Sequence, residues 1–134
     1  MTIRFLSLNK VLRLHKWQIE TYGGEAGLRD AGLLDSAIAM PKVTFGGQFL
    51  HADIFEMAAA YLFHIVQNHP FVDGNKRTGA DAAIVFLNLN KIPMKKLNGE
   101  QFETLVLDVA QGKVKKPEIA AFFRRNAIPS GPTA

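Results

Sequence analysis

The chain has no cysteine, few strand signals and no apolar run long enough to cross a bilayer. Without cysteine there is no disulfide framework, and a reducing compartment suits such a chain. The longest apolar stretches, at 57–63 and 82–87, fall far short of the ~20 residues that a spanning helix needs. The opening Met1-Thr2-Ile3-Arg4-Phe5-Leu6 shows no apolar core with a small-residue cleavage site. The expectation is a soluble, cytoplasmic protein with no membrane partner. Internal repeats and low-complexity tracts are also missing. His64 and His69 are five residues apart with no His-Glu-x-x-His string, so zinc hydrolase chemistry is not expected. Basic residues are not interleaved with aromatics, which argues against direct nucleic-acid binding.

What is present is an ordinary folding composition. With 48% hydrophobic residues in a chain of 134, intrinsic disorder is excluded and the length suits one domain. That domain is expected over 1–128, with 129–134 as a flexible C-terminal tail. The net charge of +4, from 16 Lys and Arg against 12 Asp and Glu, is compatible with phosphates or an acidic protein partner. Lys95, Lys96, Lys113, Lys115 and Lys116 read as solvated charge.

Apolar spacing is helical almost throughout. Leu8, Val11, Leu12, His15 and Ile19 share one face, and the helix stops at Tyr22-Gly23-Gly24. A short second helix carries Leu33, Leu34, Ala37 and Ile38 and ends at Pro41. A third starts with Asp53 as N-cap and runs into Asn68-His69-Pro70. The fourth, from about 75 to 90, is apolar nearly all round, which predicts a central helix covered on every side. Asn98 and Gln101 resemble a capping box, Gly112 suits a C-cap, and a last helix follows Pro117. Val43 to Phe49, with Gly46-Gly47 inside, suits a small hairpin or exposed flap. The fold class is all-α, a helical bundle with one small flap. His15 and His51 have no chemical company in the sequence and read as structural.

One segment concentrates chemistry: His69-Pro70-Phe71-Val72-Asp73-Gly74-Asn75-Lys76-Arg77-Thr78-Gly79. It links two helices, so it feeds the N-terminus of the fourth. The first amides of a helix lack internal partners and carry the positive end of its dipole. Gly74 lets the backbone approach closely, and Lys76 and Arg77 add full charges. Together these form an anion site suited to phosphate. Asp73 at its mouth is placed to share Mg²⁺ with a nucleotide, and His69 to take a proton from an attacking hydroxyl. The set is that of a phosphoryl-type transfer.

His69-Pro-Phe-Val-Asp-Gly-Asn-Lys-Arg77 resembles the Fic motif, histidine-x-phenylalanine-x-aspartate/glutamate-glycine-asparagine-glycine/lysine-arginine. Tyr22-Gly23-Gly24, Gly27-Leu28-Arg29-Asp30, Gly32-Leu33-Leu34 and Thr44-Phe45-Gly46-Gly47 look like segments of the family's death-on-curing (Doc) branch. The resemblance implies the Fic fold, with His69 as general base, Asp73 as Mg²⁺ ligand, and Gly74, Asn75 and Arg77 holding the phosphates of ATP. Phe71 is implied to pack the loop without chemistry. Lys76 stands where most Fic enzymes have glycine, and lysine there marks the branch that transfers the γ-phosphate rather than AMP. Ala80 replaces a second arginine that many AMP-transferring members carry. Asp81, one turn beyond Arg77, is expected to orient it and to belong to the nucleotide site.

The resemblance further implies a growth-arresting toxin that phosphorylates a hydroxyl of translation elongation factor Tu. It also implies a Phd-like antitoxin that folds on binding. The family's inhibitory helix motif has no good counterpart, since Thr21-Tyr22-Gly23-Gly24-Glu25-Ala26 contains two glycines. Two alternatives stand beside this reading. One is AMP or nucleotidyl transfer to Ser, Thr or Tyr; the other is a catalytically idle antitoxin-binding module.

Overall fold

A computed structural model describes residues 2–95 and 99–128. The expected tail at 129–134 lies outside them, as do Lys96 and the Asn98 half of the expected capping box. The described chain runs α1 (Leu8–Tyr22), α2 (Ala31–Ala39), a 3₁₀ turn (Met40–Lys42), β1 (Thr44–Phe45), β2 (Gln48–Phe49), α3 (Ile54–Asn68), α4 (Asn75–Leu89), α5 (Gly99–Ala110) and α6 (Lys116–Asn126). This is the expected all-α bundle with one small hairpin. Among the described residues no helix is long and apolar enough to cross a membrane.

Local chemistry explains most of the boundaries. Ser7, Asp30 and Asp53 each accept a hydrogen bond from the amide three residues on (Lys10, Leu33 and Glu56), sealing α1, α2 and α3. Gly23 (φ 84°) ends α1. Gly112 (φ 74°) follows α5, its N–H and that of Lys113 donating back to the Val109 and Asp108 carbonyls. Pro117 lies in the first turn of α6, which begins one residue earlier, at Lys116.

The hairpin pairs Thr44 with Phe49 and Phe45 with Gln48 across Gly46-Gly47, both at positive φ. A two-residue turn of that hand matches strand twist. All four strand residues are exposed. Ile3 and Phe5 form no strand; Phe5 instead packs its ring between Phe49 and Phe86.

The central helix is α3, not α4. From Met57 to Leu62 every residue of α3 is buried, and α3 packs against α2, α4, α5 and α6. Three successive alanines, 58–60, let those helices approach from several sides. On α4, Ile84 and Val85 are only half covered and Leu89 is exposed. An apolar circumference predicted complete burial, but among the described residues the main packing partners of α4 are α1, α3 and α5. Side chains from all six helices line the same core, including Val11, Leu34, Tyr61, Phe86, Val109 and Phe123.

Candidate functional site

The N-terminus of α4 is built differently from those of α1 to α3. Its N-cap is Gly74, in the left-handed region (φ 78°, ψ 16°), and no side chain caps it. The first amides of α4 therefore face outward unsealed, the arrangement that favours an anion. Lys76 and Arg77 are both exposed on this first turn. Gly74 is required on two counts: its φ suits glycine, and a Cβ there would lie 3.1 Å from Ile19 Cδ1.

The loop entering α4 is held from inside. Phe71 is 1% exposed and anchors the turn. The buried side chain of Asn75 clamps it, accepting from the Phe71 N–H and donating to the Phe71 carbonyl, each at 2.9 Å. Asn75 was expected to hold phosphate, but both ends of its carboxamide are spent on the loop. What it offers a ligand is its backbone amide at the start of α4.

Asp73 is exposed, and its carboxylate accepts from two backbone amides, Gly74 N–H at 2.8 Å and Glu25 N–H at 3.1 Å. Glu25 N–H and Gly74 N–H, followed by nearby Arg77 and Lys76, hold this carboxyl below its ordinary range. It stays ionised, with lone pairs to spare on both oxygens. The loop carrying Glu25 fits closely: a Cβ on Gly24 (φ 116°) would lie 2.8 Å from Asp73 Oδ2.

His69 is exposed and caps α3 in the left-handed conformation (φ 51°, ψ 53°). That is uncommon for a residue with a Cβ, and Arg29 holds it there. The Arg29 guanidinium forks over the end of α3, donating to the His69 carbonyl at 2.6 Å and the Asn68 carbonyl at 2.9 Å. The amides of Arg29 and Asp30 both donate to the Pro70 carbonyl.

Two adjoining cavities share Asp73, Gly74, Asn75 and Lys76. The smaller, about 190 Å³, adds His69. The larger, about 340 Å³, adds Arg77, Ala80 and an α5 wall of Phe102, Glu103, Val106 and Leu107. One side apolar and one side cationic suits a nucleoside attached to phosphates. The structure thus brings His69, Asp73, Gly74, Lys76 and Arg77 to one end of α4. It does not pair Asp81 with Arg77: Asp81 accepts from Gln18 Nε2 at 3.1 Å, and Arg77 lies over the Tyr22 ring at 5.0 Å. Among the described residues, no group of three or more acidic, histidine or cysteine side chains converges as a metal cage. A lone carboxylate is nevertheless sufficient for Mg²⁺ that arrives with phosphates, which fill the other positions.

Two residues outside the motif make contacts that the sequence did not signal. His15, buried in α1, sets its Nε2 2.8 Å from the Asp73 carbonyl oxygen. No sequence signal set His15 apart from other residues of the apolar stripe on α1. Lys116, expected to be solvated, is half-buried far from the motif, with Nζ 3.1 Å from Nε2 of both His51 and His64.

An all-α bundle with an unsealed, cationic helix N-terminus, a carboxylate at its mouth and a histidine beside it has the geometry that suits a phosphate ligand. Comparison with known sequences specifies the class, for the Fic/DOC family model matches residues 5–87. This chain belongs to the Fic/DOC family. It is similar to a protein named Toxin Doc from Mycolicibacterium smegmatis, at 39% identity over 101 residues, 75% of this chain and 78% of that protein. It is also similar to a protein named Protein kinase doc from Escherichia phage P1. Here the identity is 28% over 123 residues, 92% of this chain and 95% of that protein.

Proposed function

We propose that this protein is a Doc-type toxin that transfers the γ-phosphate of ATP to a hydroxyl of a protein, with elongation factor Tu as target and a Phd-like antitoxin as its inhibitor. The observation that carries the reading is Lys76, exposed in the first turn of α4 between the His69 and Arg77 sides of the site. A lysine at this point adds a cation where charge builds on the transferring phosphoryl group. The names of the two relatives, one a toxin and one a protein kinase, agree with it.

In this reading His69 takes the proton of the attacking hydroxyl. The new bond joins that oxygen to the γ-phosphorus, and the bond to the bridging oxygen of ADP breaks. The unsealed first amides of α4, beginning with that of Asn75, with the Lys76 and Arg77 side chains, hold the phosphate oxygens in place. Asp73 would hold Mg²⁺, whose charge, when bound, offsets that of the phosphates. The wall of Phe102, Val106 and Leu107 accepts the nucleoside and excludes water. Ala80 adds no cation to that cavity, which disfavours AMP transfer.

The test is label transfer from ATP to elongation factor Tu with Mg²⁺, using γ- and α-labelled ATP in parallel and His69→Ala as control. Label from the γ-position alone, lost in the variant, is the expected result. Label from the α-position would establish nucleotidyl transfer instead. No label from either, in the presence of the factor or a cell lysate, would leave a module that binds its antitoxin without catalysis.

A further inference from the structure

The motif is also supported by α1. The His15 ring lies parallel to that of Phe71, with centroids 3.7 Å apart and 5° between planes. Its Nε2 is 2.8 Å from the Asp73 carbonyl oxygen. A carbonyl only accepts, so Nε2 carries the proton and donates, in the neutral Nε2–H tautomer and in the imidazolium alike. In a trans peptide the C=O and N–H point opposite ways. Drawing the Asp73 carbonyl toward α1 therefore turns the Gly74 N–H away from it, to the side where it meets Asp73 Oδ1.

This peptide needs fixing. Gly74 at φ 78° is the most permissive residue type, and the unit before it is free to rotate unless held. In the observed orientation the Gly74 N–H meets Asp73 Oδ1 and so holds the carboxylate beside the cavities that Lys76 also lines. We infer that His15 is a positioning residue for the phosphate cradle: its Nε2–H locks the Asp73–Gly74 peptide in the orientation that presents the cradle to a nucleotide. This rests on the nucleotide reading given above. The bland role for His15 is to fill space against Phe71, and the two roles separate by substitution. His15→Phe keeps a ring against Phe71 and removes the donor. His15→Gln removes the ring and keeps an N–H near the position of Nε2.

The experiment compares the intact protein with both variants by thermal unfolding, by NMR hydrogen exchange at the Gly74 amide, and by Mg-ATP binding and turnover. His15→Phe is expected to exchange Gly74 at least about tenfold faster and to weaken Mg-ATP binding about tenfold, in KM more than in kcat. His15→Gln is expected to stay within about threefold of the parent in both. The inference is overturned if His15→Phe matches the parent, or if His15→Gln is impaired as much as His15→Phe. Should His15→Phe fail to fold, His15→Gln alone decides, by keeping or losing slow Gly74 exchange and nucleotide affinity. A parent that binds no Mg-ATP would sink the nucleotide reading, while Gly74 exchange in the variants would still test His15.

Discussion

At the scale of single residues, a motif is a mixture of groups that face a ligand and groups that hold the first kind still. Gly74, Lys76 and Arg77 face outward at the start of α4, while Phe71 and Asn75 are buried behind them. Spacing alone does not sort the two sets, because adjacent letters carry opposite tasks. The buried Asn75 carboxamide satisfies both backbone groups of Phe71. Removing it strands two buried polar groups, each costing about 1–3 kcal/mol. Asn75→Ala should therefore destabilise the fold by about 2–6 kcal/mol, measurable by denaturant unfolding. A stability within about 0.5 kcal/mol of the parent would show that the clamp is dispensable and return Asn75 to the ligand.

At the scale of elements, starts and stops were legible because caps act over three or four residues. Asp53, Gly23 and Gly112 behave as their local chemistry predicts, and the Gly46-Gly47 turn produces the small hairpin. The choice of central helix was not legible. Residues 80–89 of α4 are apolar nearly all round, yet α3 is the more enclosed. Alanine is a weak hydrophobic signal in a sequence but a strong packing device in a bundle, since a methyl group lets a neighbouring backbone come near. Ala58, Ala59 and Ala60 are all fully buried. Ala59→Leu should overpack that seam and cost about 1–3 kcal/mol. An unchanged melting temperature would mean that the neighbours of α3 leave room there.

At the scale of the whole molecule, the junction of α6 with α3 depends on Lys116, His51 and His64. Burial, then Lys116 and His51, push the His64 imidazole down to about 4, and burial followed by Lys116 lowers His51 as well. The native state keeps His64 neutral, whereas the unfolded chain takes up a proton near pH 6.5. Between those values the unfolded state binds more protons, so stability falls as pH falls from 6.5 toward 4 and is insensitive to this group above 6.5. The melting temperature should drop by about 4 °C or more across that window, and His64→Gln should reduce the slope, leaving the part that His51 contributes. Asp73, shifted below 3.8, adds to acid loss only at lower pH, so the two windows separate. A flat profile in the parent between pH 6.5 and 4.5 would refute the buried-imidazole account.

The amino-acid sequence by itself determined the helical class, the hairpin, the caps and the motif residues gathered at the end of α4. Those depend on a period of 3.6, on short-range hydrogen bonds and on charges a few positions apart. Only the tertiary structure decided that α3 is central, that Asn75 is a clamp and that Asp81 pairs with Gln18. It also decided that half-buried Lys116 lies between two imidazoles and that His15 reaches the Asp73 carbonyl across 58 residues of chain. Such contacts arise where helices distant in sequence are pressed together by the burial of their apolar faces. A side chain's partner is then set by packing, which no local pattern encodes.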